Sequence, residues 1–193
     1  RSGHGPGPFT SRCRLRRSSI SVPGRPEICL SQVQGGPSTT EHHMPTPIRV
    51  DFIAGASGPW RIDSMRTVIG PGLPEASRLI ISEGRSDEPL TDHAWVLKGV
   101  TSNTRYTERP EVEALASKQA GLARPDATCA ALIPIRKTAA WWDLAQNERR
   151  AIFEEQSHHI KIGLDYLPAV ARRLHHSREL AEPFDFLTWF EYA

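Results

Sequence analysis

Between Cys129 and Tyr192 the hydrophobic period of the chain switches repeatedly, and the order of those switches restricts the fold more than any other feature. Cys129 to Ile135 is a short apolar run that reads as a buried strand. Lys137 to Trp142 then leads into a helix from about Asp143 to Ser157, with Leu144, Ile152 and Phe153 on one side and Glu148, Arg149 and Glu155 on others. Gly163 and Pro168 interrupt the chain, Val170 to His176 alternates as a strand, and Phe184 to Tyr192 alternates again after a connection. Strand, helix, strand, strand is the opening of a β-α-β-β-α-β unit, so the expected fold class is α+β, ferredoxin-like. The last helix and strand of such a unit are missing before Ala193, which leaves one sheet edge open.

Upstream, Ile48 to Ile53, Ser77 to Ser82 and Ala94 to Ser102 read as strands. Pro110 with Glu108, Glu111 and Glu113 starts a helix that carries Val112, Leu115, Ala116 and Ala120 and ends at Gly121. The expected organisation is one domain over residues 44–193, with a reduced N-terminal half at about 44–125 and a second, incomplete half at about 126–193.

Residues 1–43 differ in kind. They hold six Arg, no Lys and two Glu, a net of +4, whereas the rest of the chain nets −2. Rich in Gly, Pro and Ser and without hydrophobic periodicity, this stretch is expected to be a disordered basic extension, not a nucleic-acid arm. The first methionine is Met44, directly before the first patterned segment, so residues 1–43 are read as lying upstream of the natural start. Arg16-Arg17 resembles a twin-arginine export signal, but Pro23, Gly24, Arg25, Pro26 and Glu27 follow where an apolar region is required. Cys13, Cys29 and Cys129 have neither metal-ligand spacing nor the number a disulfide framework needs, and no apolar run is long enough to span a bilayer. These features lead to the expectation of a cytoplasmic protein without membrane or nucleic-acid partners.

Four of the eight histidines occur as the pairs His158-His159 and His175-His176. Neighbours in a strand point to opposite faces and in a helix diverge by about 100 degrees, so at most one of each pair serves a given site. No HExxH, Cys/His zinc pattern, phosphate loop or GxSxG elbow is present. A haem iron needs a single imidazole, which suits this chain better. Arg172 stands mid-strand on a face shared with Val170 and Leu174. It either pairs with a carboxylate or snorkels to the edge, or it presents a permanent cation to a cavity and binds a small oxyanion.

Three blocks then carry a resemblance: Ala131-Leu132-Ile133-Pro134-Ile135-Arg136-Lys137 with Ala140-Trp141-Trp142, Glu148-Arg149-Arg150-Ala151-Ile152-Phe153-Glu154 with Ser157-His158-His159, and Glu182 to Tyr192. In this order they resemble the chlorite dismutase family, in its short, dimeric class, over roughly three quarters of the chain. The resemblance implies a dimeric α+β barrel and a haem b enzyme that converts chlorite to chloride and dioxygen. It maps the proximal iron ligand onto His159 and the distal arginine onto Arg172. Lys137, Trp141 and Trp142 match residues near the haem propionates, and Leu167, Thr188 and Phe190 match the distal wall. Family members continue past the Phe-Glu-Tyr-Ala segment to a carboxylate that supports the proximal histidine. Alternatives are a coproheme decarboxylase, which generally lacks the distal arginine, and a non-catalytic haem-binding or dimerisation domain.

Overall fold

Strands that alternate apolar and polar residues bury one face, and a sheet of such strands is most stable when it curls until no edge is left. The computed structural model, which describes residues 10–17, 47–84, 92–101 and 106–193, has this form. Its strands are β1 (Thr10–Arg17), β2 (Arg49–Gly55), β3 (Trp60–Ile69), β4 (Arg78–Glu83), β5 (His93–Thr101), β6 (Cys129–Ile135), β7 (Ala171–His176) and β8 (Phe186–Tyr192). They close one antiparallel barrel in the order β1-β3-β4-β2-β5-β7-β8-β6. Helix α1 (Arg109–Lys118) precedes β6; α2 (Ala139–Asp143), α3 (Gln146–Arg150), a π-helical turn (Ala151–Gln156) and α4 (His159–Asp165) lie between β6 and β7.

The barrel lumen is the core. Phe52, Leu79, Leu97, Leu132, Leu187 and Trp189 are all but closed to solvent there. The Trp189 ring meets Trp60 edge-on at 5.3 Å and Phe52 at 5.9 Å, which ties β8 to the far wall.

Two expectations are corrected by β1. Residues 1–43 were expected to be disordered, yet Thr10–Arg17 pairs with β3 on one side and β6 on the other. Its alternation explains why: Cys13 and Leu15 point into the lumen at 2% and 0% exposure, while Arg12, Arg14 and Arg16 remain in water. Burial pushes the Cys13 thiol up to about 11, so it behaves as an apolar residue and not as a nucleophile. With β1 in place, β6 is not the open edge that a missing last strand implies. The remainder of the expected extension, 1–9 and 18–43, lies outside the described residues. Leu15→Ala is therefore expected to destabilise the protein by about 2–5 kcal/mol, and Arg14→Ala by no more than about 0.5 kcal/mol. Urea unfolding measures both, and equal midpoints for the two variants would place β1 outside the cooperative core.

The helical stretch also differs from its expectation. A single helix from about Asp143 to Ser157 is replaced by α2, α3 and the π-helical turn, because Leu144 and Ala145 adopt extended backbone between them. The break is stabilised at α3 by Glu148, whose Oε2 accepts the Ala145 N–H at 2.6 Å. The interruption expected at Gly163 instead lies inside α4.

Within the lumen His175 is fully buried. Its Nδ1–H donates to the Leu187 carbonyl at 3.0 Å and its Nε2 accepts from Arg173 Nε at 3.2 Å, which fixes the neutral tautomer. Burial first, then the neighbouring Arg173, depresses its pKa to about 4, with the Leu187 and Glu83 contacts acting the other way. The unfolded chain therefore takes up a proton near pH 6.5 that the folded chain refuses until about pH 4. Stability is full above the first value and falls across this window, by roughly 3 kcal/mol in the limit. His175→Gln should remove that part of the slope of unfolding free energy against pH; an unchanged slope would assign it to other groups.

Candidate functional site

The outer face of β6, β8 and β7 forms the floor of the site, and strand register dictates what lies on it. Residues opposite one another share a face, so one row across the three strands reads Ala131, Phe190, Arg172, the next Ile133, Thr188, Leu174, and the third Ile135, Phe186, His176. The inward partners on the same strands, Leu132, Trp189 and His175 among them, belong to the lumen. Arg172, Thr188 and Phe190 are thus brought together by β-pairing alone, each half-buried. Leu167 comes from a different segment and is buried in the connection from α4 to β7.

The helices after β6 form the opposite wall. Thr138 caps α2 by accepting the Trp141 N–H, and α2 carries both tryptophans. Trp142 stacks on Phe186 of the floor at 5.8 Å and 15°, and Trp141 meets the same ring edge-on at 6.0 Å. Lys137 Nζ lies 5.1 Å from the rings of both Trp141 and Phe153. Burial lowers the Lys137 pKa, with Asp185 opposing.

His158 and His159 are separated by the start of α4, which falls between them. His158 adopts left-handed backbone, φ 51°, at the start of α4, and His159 is the first helical residue. Glu154 sets this start by accepting the N–H of Ile160 at 2.8 Å and of Lys161 at 3.4 Å. The His159 ring packs against Phe153 at 5.8 Å and keeps access to solvent. Its pKa is nevertheless lowered, first by desolvation from its surroundings, then by the charge of Arg172 and, more weakly, of Lys137, with Glu154 opposing. The imidazole is neutral at neutral pH, the form in which it donates to a metal.

Arg172 does not take the carboxylate-paired fate of a strand arginine. It is half-buried, burial lowers its pKa, and among the described residues it has no carboxylate partner. Its carbonyl accepts from Gln119 Nε2 at 3.1 Å.

Several members of the cluster were not anticipated. Arg149 and Arg178 flank the Trp142 ring at 5.0 and 3.8 Å, and Arg149 also donates to the carbonyls of Trp141 and Trp142. Tyr106 stacks on Phe153 at 5.5 Å. No spacing rule links Trp142 to Arg178 thirty-six positions on, because α3, the π-helical turn, α4 and β7 separate them.

These residues fit a haem. The buried Nε1–H groups of Trp141 and Trp142 have no acceptor, and Lys137, Arg149 and Arg178 surround them with positive charge, a setting suited to carboxylate groups. Single-imidazole ligation asks for one histidine, and His159 opens onto the same space. Among the described residues no three His, Cys, Asp or Glu side chains gather as a polydentate metal cage, and no helix is long and apolar enough to cross a membrane. A cavity of about 310 Å³ lined by Cys13, Ile62, Met65, Leu73 and Ala76 shares no residue with this face.

Comparison with known proteins gives the same direction as the three sequence blocks. Residues 83–193, more than half of the chain, match the family model for chlorite dismutase. A chlorite dismutase of Ideonella dechloratans is 38% identical over 60 residues, a stretch that spans 31% of this chain and 20% of the length of that relative. The crystal structure of dimeric chlorite dismutases from Nitrobacter winogradskyi is 57% identical, with a TM-score of 0.68 over 75% of this chain and 80% of that one. The chain belongs to the chlorite dismutase family.

Proposed function

We propose that this protein binds haem b through His159 and decomposes chlorite to chloride and dioxygen, with Arg172 positioning the anion. The observation that carries this reading is the half-buried Arg172 guanidinium, which has no carboxylate partner among the described residues and lies close enough to His159 to lower its pKa. A half-buried cation left without a partner is costly unless its charge is used. When bound, haem would supply the redox-active iron at which chlorite is converted.

The protein's own residues do the rest. His159 is held neutral and presents its lone pair. Lys137 and the indole N–H groups of Trp141 and Trp142, which have no acceptor of their own, would hold the carboxylates of the macrocycle. Arg172 attracts chlorite and orients it by a planar fork of donors, and because guanidinium keeps its proton near neutrality, no general base is required of it. Phe190, beside Arg172 on the floor, and Leu167 limit the access of water; Thr188 completes that wall. As in the Nitrobacter relative, the working form is a homodimer.

Reconstitution with haem, a Soret spectrum and an oxygen electrode test the proposal together. A Soret band with oxygen release from chlorite is expected. A band without oxygen would leave a haem-binding domain, and the absence of both would end the proposal.

A further inference from the structure

We propose that Gly163 is a positioning residue for Arg172: by presenting bare backbone one turn beyond His159, it fixes where the guanidinium rests. The inference deepens the function proposed above, since it concerns the residue assigned to the anion there.

Gly163 lies inside α4, where glycine is a poor helix former compared with alanine. Its backbone gives no reason for glycine, because it is not in the left-handed region. The reason lies across the site. A Cβ built at Gly163 would stand 2.5 Å from Arg172 Nη1 and 3.1 Å from both Cζ and Nη2. His159 and Gly163 are four residues apart on α4 and so share a face, which means that one helical stripe carries the imidazole and the seat of the guanidinium.

The rest of Arg172 is pinned. Its backbone pairs with Phe190 across the strands, its carbonyl accepts from Gln119, and the preceding connection is held by Arg124, which donates to the carbonyls of Pro168 and Ala169 at 3.2 and 2.8 Å. The guanidinium is therefore the part that yields when a methyl group is added at Gly163. Reaching ordinary contact distance from 2.5 Å requires a shift of about 1 Å. The helix itself tolerates alanine, so Gly163→Ala is expected to fold with an unfolding midpoint no lower than that of the parent protein.

The first measurement needs no cofactor. In the full chain, the rate at which phenylglyoxal modifies Arg172, read by mass spectrometry against exposed Arg12, should rise severalfold in Gly163→Ala, because the displaced fork is left to solvent. The second uses the haem-loaded protein with azide as the probe anion. Its dissociation constant and the KM for chlorite should rise about tenfold or more in Gly163→Ala, with kcat changed less. In an Arg172→Ala background the same substitution should have no further effect on azide.

An unchanged labelling rate, or an azide effect equally large without Arg172, overturns the inference. A raised labelling rate in a protein that takes up haem but releases no oxygen supports the seat and refutes the function proposed for it, so the two failures are distinguishable.

Discussion

Arg172→Ala is expected to retain haem and to lose chlorite turnover by a factor of about 10² or more in kcat/KM. A lost preorganised donor to a developing anionic charge has effects of this size. Arg172→Lys should recover only part, because an ammonium keeps the charge and forfeits the planar fork. The unfolding midpoint should stay the same or rise, since the substitution removes a half-buried cation that has no carboxylate partner among the described residues. That combination separates a role in anion positioning from a role in holding the fold. Oxygen yield per enzyme, the Soret band and thermal unfolding measure the three parts, and an unchanged oxygen yield in Arg172→Ala removes Arg172 from the reaction.

His159→Ala should weaken haem binding by at least about tenfold, or 1.4 kcal/mol, while His158→Ala leaves it unchanged. The two side chains adjoin in sequence, but His158 sits in left-handed backbone before α4 and His159 opens the helix against Phe153. Neither is in the core, so both variants should fold as the parent does. Haem titration followed at the Soret maximum measures the difference, and added imidazole should restore the spectrum of His159→Ala. The opposite order of effects would move the ligand to His158. A pH dependence accompanies this prediction. Desolvation, Arg172 and Lys137 together hold the His159 pKa below the ordinary imidazole value, so ligation persists as the pH falls through the range where a free histidine is protonated. In Arg172→Ala one of those causes is gone, and haem loss on acidification should move to higher pH.

Much of this is legible in the residues alone. The run Cys129 to Ile135 is the strand with the limits its apolar character gives, and β7 and β8 fall within one or two residues of their expected starts. Period-2 alternation is enough to decide that Arg172, Thr188 and Phe190 point away from the face that carries Trp189. The three blocks that resemble chlorite dismutases hold most of the aromatic and cationic wall, which is why Lys137, Trp141, Trp142 and His159 could be named together.

What escaped is of another kind. Arg12, Arg14, Arg16 and Arg17 outweighed Cys13 and Leu15 in the composition of the first segment, so a strand with a clear two-residue period was read as an extension. Trp60–Ile69 was not recognised as a strand because its exposed residues include Val68 and Ile69, which blur the alternation. Arg178 against Trp142 and Arg172 against Gly163 are meetings between elements, and no local period encodes them.

The sequence by itself determined which face β7 and β8 turn to the core, which family the chain belongs to, and the residue types that could meet a haem and an anion. Only the tertiary structure decided that β1 lies between β3 and β6 to close the barrel, that Arg172 goes without a carboxylate partner among the described residues, and that its guanidinium rests on Gly163. The physical reason is that side-chain periodicity is a local property, set by the geometry of one strand or helix. Neighbourhood across a barrel is set by closure and register, which depend on all eight strands at once.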